Sequence, residues 1–151
     1  MNATPITAPV ASTPWFHRPL LVIAALLGAT AVGIGAFAAH GLPKRLEAQG
    51  LEPEVVQKKL DQCELAVRYQ MFHALAILAM ALAPIATRTA IIPLSAFAML
   101  LGVGFFSGGL YSMVFANQII HWAIVPIGGS ILILGWCVLL LGALTQSARP
   151  S

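Results

Sequence analysis

Long apolar runs broken by a few polar positions organise this chain. Leu20 to Ala39, LLVIAALLGATAVGIGAFAA, carries no charged residue, and a helix needs roughly 20 such residues to cross a hydrocarbon core. Arg18 and Pro19 precede it. His40, Gly41 and Pro43 follow, and Gly suits a helix C-terminus while Pro stops its continuation. A second run covers about 65–86, and Pro84, Arg88 and Pro93 mark the turn after it. From Thr89 to Ala148 there is no Lys, Arg, Asp or Glu. As one helix that stretch would be about 90 Å long, three times a bilayer core, so it must fold back. The polar dip at Asn117-Gln118 places the turn, giving a third span of about 92–116 and a fourth of about 119–144.

The expected architecture is therefore all-α: an integral membrane four-helix bundle in a single domain over 19–145. Residues 1–18 and 146–151 form tails. A charged interfacial loop and helix over 41–64 joins the first two spans. In that segment Pro53 looks like a first-turn helix residue, and Glu54 and Lys58 form an i,i+4 pair. Val56, Leu60, Cys63 and Val67 recur at helical spacing, predicting a helix that runs on into the second span.

Composition agrees with the pattern. The chain is 59% hydrophobic and 9% charged, against about 25% charged in soluble domains, and its mean hydropathy is +0.89. The net charge of +3 comes from few charges in total. Scattered Lys and Arg beside apolar runs suit a membrane flank and point away from nucleic acid. Cys63 and Cys137 fit neither a disulfide framework nor a metal pattern, and the predicted spans put them at opposite faces. Ala36-Phe37-Ala38 after an apolar run has the form of a signal-peptidase site. The run is long enough to span by itself, so a retained first helix is the preferred reading.

Small residues predict where helices approach closely, because association in lipid depends on packing. Gly104 and Gly108 form G-x-x-x-G, equally compatible with dimerisation and with packing inside the bundle. Ala25, Ala29 and Gly33 repeat every four residues, and Gly128, Gly135 and Gly142 every seven. Pro126, with Gly128 and Gly129 after it, predicts a kink early in the fourth span through the freed carbonyl of Trp122.

Four antiparallel spans put both termini on one side, and the polar residues gather on the other. His40 closes the first span; Arg68, Tyr69, Gln70 and His73 open the second; Ser107, Tyr111 and Asn117 lie late in the third; Gln118 and His121 open the fourth. Steps of 100° put Glu64 and Arg68 on one face of the second helix, able to pair and snorkel, and Tyr69, Gln70 and His73 on another. His73 lies about 7 to 8 Å deeper than Arg68 and should face the bundle. A hydrogen-bonded structural histidine is favoured there over a functional one. The candidate cluster is His40, Arg68, Tyr69, His73, Ser107 and Tyr111.

His40, His73 and His121 also raise a metal or haem site, since imidazole is a common ligand. No two share a helix at i,i+4, and no acidic or cysteine ligand is near them within the bilayer. They are weak candidates, and neither a metal nor another cofactor is expected. No serine–histidine–carboxylate set, paired buried carboxylates or phosphate loop is present, so no catalytic role is expected. The spans hold no deep Asp, Glu, Lys or Arg, which weighs against ion-coupled transport but leaves a passive path open.

GAFAAHGL (35–42), AVRYQMFHALAIL (66–78), FSGGLY (106–111) and PIGG…GW (126–136) together resemble the family of domain of unknown function 423. These are small four-span bacterial membrane proteins with animal relatives among the transmembrane 256 proteins. The resemblance covers about 20–144 and implies a four-helix membrane protein with no established activity. The matching positions are Gly35, His40, Gly41, Tyr69, His73, Ser107, Gly108, Tyr111, Pro126, Gly128, Gly129, Gly135 and Trp136. Val125 stands where the family commonly has threonine, the 43–62 loop is longer than usual, and His121 is outside the pattern. AFAAHG straddles the A-x-A sequence, which further supports a retained first span.

The expected setting is the bacterial inner (plasma) membrane, crossed several times. The expected role is structural or interaction-based, through the polar end of the bundle. The partners expected are membrane lipids, and a membrane protein or a second copy. The rival roles are a small-solute channel or carrier lined by Tyr69, His73, Ser107 and Tyr111, and a haem- or metal-binding membrane protein. Five Lys/Arg on the polar side against three on the terminal side lean that polar side towards the cytoplasm.

Overall fold

The computed structural model describes residues 16–83, 90–116 and 123–146. Among these, five helices occur: α1 (His17–His40), α2 (Leu42–Glu47), α3 (Pro53–Leu82), α4 (Ile91–Phe115) and α5 (Ile124–Gln146). α1, α3, α4 and α5 are each long and apolar enough to cross a membrane, and they pack together as an all-α integral membrane bundle. Asn117, Gln118, His121, Trp122, Arg88 and the tail residues 1–15 and 147–151 lie outside the described residues.

The helices pack in the order α1, α3, α4, α5. Gln70 meets Leu27 and Thr30 while Val67 meets Gly35, so α1 and α3 run antiparallel. Lys59 meets Met113 and Ser107 meets Ala66, making α3 and α4 antiparallel as well. At the end bearing the termini, Leu20, Ala24, Ile77, Met80, Ala81, Ile92, Ala96 and Met99 form the core. At the loop end, Leu42 and Leu46 of α2 fold under the bundle and pack with Val56, Cys63 and Val114.

Gly41 is the C-cap of α1, which ends at His40 as expected. It keeps right-handed helical dihedrals and donates its N–H to the Phe37 carbonyl at 2.8 Å, and α2 begins at the next residue with Pro43 in its first turn. A Cβ there would meet the Phe37 ring at 2.6 Å, so that ring would have to move. The sharp reversal comes at Gly50, whose φ of 68° lies in the left-handed region that glycine tolerates. α3 then starts at Pro53 and runs unbroken to Leu82, so the expected interfacial helix is continuous with the second span. Its 30 residues extend about 45 Å, some 15 Å more than a hydrocarbon core.

Lys59, in this overhanging part, donates to the Met113 carbonyl at 2.7 Å and the Val114 carbonyl at 3.4 Å. The last turn of a helix has carbonyls without intrahelical donors and a partial negative charge. One cation therefore ties the start of α3 to the end of α4.

The expected Pro126 kink involves the Trp122 carbonyl, which lies outside the described residues. α5 begins at Ile124, so Pro126 lies in its first turn, where the missing N–H removes no bond from the helix interior.

Candidate functional site

A chain of buried polar contacts runs along the inner face of α3. Gln70, 5% exposed, is at its centre. Its amide nitrogen donates to the Leu27 carbonyl and to Thr30 Oγ1, both at 2.8 Å. Its carbonyl Oε1 accepts the Tyr111 hydroxyl at 2.9 Å. One side chain thus joins α1, α3 and α4. Tyr111 reaches it because side chains on a helix lean toward the N-terminus, here toward the membrane middle. One turn nearer the loop end, the fully buried Ser107 hydroxyl donates to the Ala66 carbonyl at 2.9 Å.

His73 continues the chain toward the middle of the bundle. Its Nδ1 is 2.8 Å from the Tyr69 carbonyl one turn back, and its Nε2 is 3.2 Å from Trp136 Nε1. An indole N–H only donates and a carbonyl only accepts. His73 is therefore the neutral tautomer with hydrogen on Nδ1, both ring nitrogens engaged. Trp136 stands at the middle of α5, and its ring meets His73 edge-on at 6.1 Å. The Tyr69 ring lies 4.5 Å from Phe106. ¹⁵N NMR of His-labelled protein in lipid at neutral pH should report protonated Nδ1 and bare Nε2 for His73. The opposite pattern, or a Trp136→Phe variant with an unchanged Nε2 signal, contradicts this assignment.

The structure brings together Tyr69, His73, Ser107 and Tyr111 from the expected cluster. It leaves out two. Arg68 is exposed and pairs with Glu64, so it belongs to the outward stripe of α3. His40 is exposed at the end of α1. Gly35 opposes Val67, so His40 falls near the level of residue 62, roughly 16 Å along α3 from His73. With His73 also bonded at both nitrogens, the His40–His73–His121 set does not form a common ligand shell; His121 itself lies outside the described residues. Of the four retained side chains, His73, Ser107 and Tyr111 bond to Trp136, to backbone carbonyls and to Gln70, and the Tyr69 ring packs against Phe106.

Sequence reasoning noted Gln70 but left it out of the candidate cluster, and it missed Thr30 as its partner. The signal was available: Thr30 is the one hydroxyl in the first apolar run, and a polar group at that depth needs a partner.

The close helix contacts also differ from expectation. Gly104 and Gly108 face away from the other helices, and a Cβ at either would meet nothing within 4 Å. The seam lies elsewhere on α4, on Ser95, Gly102 and Gly109, against Gly128, Gly135 and Gly142 of α5. A Cβ at Gly128 would strike the backbone of Phe106, and one at Gly135 would meet Met99 at 2.9 Å. Gly109 likewise faces Ile124 and Val125, Gly102 faces Leu132, and Gly142 faces Ile91. Ser95 donates to the Gly135 carbonyl at 2.8 Å within this seam. Gly35 is close to Val67 at 3.3 Å, while Gly129 makes ordinary contact with Phe106. Both members of the seam repeat every seven residues, the period that keeps one helix edge against a partner.

A family profile described as "Protein of unknown function (DUF423)" matches residues 34–129. The chain belongs to the DUF423 family. The match runs from late α1 into early α5, so it includes Gln70, His73, Ser107 and Tyr111 but stops before Trp136. Curated relatives cover more of the chain. A "UPF0382 membrane protein" of Haemophilus influenzae is 40% identical over 82% of this chain and 91% of its own length. A "UPF0382 membrane protein" of Staphylococcus saprophyticus is 38% identical over 83% and 96%. The "UPF0382 inner membrane protein YgdD" of Escherichia coli (strain K12) is 34% identical over 84% and 90%. No solved structure matches the chain. This DUF423 protein is a multi-pass protein of the bacterial inner (plasma) membrane.

Proposed function

We propose that this protein is a non-catalytic interaction module, in which a rigid bundle holds a charged helical face at the membrane surface for a partner protein. The observation that carries the proposal is a division of polar chemistry on α3. Gln70 and His73 are buried and bonded within the bundle. Glu54, Gln57, Lys58, Asp61, Glu64 and Arg68 are all exposed and recur at spacings of three and four, a single stripe about 21 Å long. Gln57 donates to Asp61 at 2.7 Å and Arg68 to Glu64, so these four side chains pair within the stripe. Most of it lies in the overhang beyond the hydrocarbon core.

Its mixed charge suits a juxtamembrane segment of another membrane protein with complementary signs. Exposed ion pairs contribute little to folding, so the stripe is not needed to hold the bundle. The clamp by Lys59 and the core around Leu46 and Cys63 fix its position. Crosslinking in native membranes followed by mild extraction should recover a companion protein. Glu54→Lys combined with Asp61→Lys should remove that companion, while Glu47→Lys, off the stripe, should not. A bare protein after crosslinking, or a companion indifferent to the reversal, defeats the proposal.

A further inference from the structure

The bundle contains a second feature, separate from the charged stripe and at the opposite end. A cavity of about 460 Å³ lies between α3 and α5, lined by Ala76, Ala79 and Ala83 on one side and Trp136, Gly142 and Ala143 on the other, with the first turn of α4 as its floor. Its origin is the glycine seam. α5 docks tightly on α4, α3 docks on a neighbouring face of α4, and α3 and α5 barely touch. Among the described residues, the His73–Trp136 hydrogen bond is the polar link across that gap. The alanines on both walls keep it open, and the exposed Ala79, Trp136 and Ala143 border its side.

The depth of the cavity decides what enters it. It extends from the middle of α5 toward the ends of α3 and α5, inside the hydrocarbon layer. Water requires two to four polar partners. The lining is almost wholly apolar, and the indole N–H is already given to His73. The volume lies within the range of small-molecule sites. We propose that this cavity is a binding site for one hydrocarbon chain of a bilayer lipid, entered sideways between α3 and α5. The fixed indole of Trp136 forms its inner wall, and chain-shaped ligands are selected by the width that the alanines leave.

The test uses the full chain in phosphatidylethanolamine–phosphatidylglycerol vesicles containing a trace of phospholipid with a photoactivatable group on its acyl chain. Crosslinks mapped by peptide mass spectrometry should concentrate on 76–83 and 136–143. The outward face of α1, around Val22, Leu26 and Val32, reports ordinary surrounding lipid. Ala79→Phe should lower labelling of 136–143 several-fold, and Ala143→Phe should do the same for 76–83, with α1 labelling unchanged in both. Wild-type labelling no denser in the cavity than on α1 overturns the proposal without any variant. Labelling that ignores both phenylalanines overturns it too, as does labelling that disappears when protein density rises and a second copy covers the opening.

Discussion

Gly128→Ala should destabilise the bundle by about 1–3 kcal/mol, the range for overpacking a close-fitted interior, while Gly104→Ala should leave stability unchanged or raise it by up to about 1 kcal/mol. The substitutions are chemically identical, and alanine is the better helix former by about 0.8–1.0 kcal/mol at both sites. What differs is the neighbour. The new methyl at Gly128 would strike the backbone of Phe106, which no rotamer change can move, whereas at Gly104 it meets nothing within 4 Å. Unfolding in mixed micelles of rising denaturing-detergent fraction measures both. Equal effects would refute the assignment of the α4–α5 seam. A costly Gly104→Ala would mean that the outward G-x-x-x-G face packs against another helix in the membrane.

Removing Gln70 is the second large effect. Gln70→Leu leaves the Tyr111 hydroxyl without its partner and removes the donor that α3 supplies to the Leu27 carbonyl and Thr30. The expected loss is about 1–2 kcal/mol, within the cost of unsatisfied buried groups and near the upper end of interhelical hydrogen bonds in membranes. Tyr111→Phe should cost less, because Gln70 keeps its two bonds to α1. The double variant should cost less than the sum, since removing both partners removes the orphaned hydroxyl as well. Strict additivity over this cycle would show that the Tyr111–Gln70 bond contributes nothing. The same unfolding assay serves, with hydrogen exchange of α1 amides around Thr30 reporting whether α1 loosens first.

The polar residues of the candidate cluster were legible because lipid makes them conspicuous. A glutamine or histidine within an apolar run has few allowed positions, and helical angles alone separated the Tyr69–Gln70–His73 face from the Glu64–Arg68 face. Their partners were not legible. Ser107 donates to a backbone carbonyl, and every residue has one. Trp136 reaches His73 from 63 positions away, and only the register of α5 against α4 makes that approach possible. His40 was drawn into the cluster because it shares a membrane end with the others. The antiparallel register of α1 on α3 separates them along the axis.

The glycines show the same division. G-x-x-x-G is visible in sequence and faces outward in the fold, whereas the Ser95–Gly102–Gly109 seam becomes recognisable only beside Gly128, Gly135 and Gly142. A single helix's sequence gives the spacing of its small residues but not which neighbour they meet. The sequence by itself determined the class, the membrane setting and the four spans, because the cost of exposing a polar backbone or a charge to hydrocarbon leaves few alternatives. Tertiary structure alone decided which faces of α1, α4 and α5 are inside, the partners of Gln70 and His73, and the cavity beside Trp136. Helices in lipid have no hydrophobic gradient between core and surroundings to mark their inner faces, and shape complementarity between distant segments makes that choice.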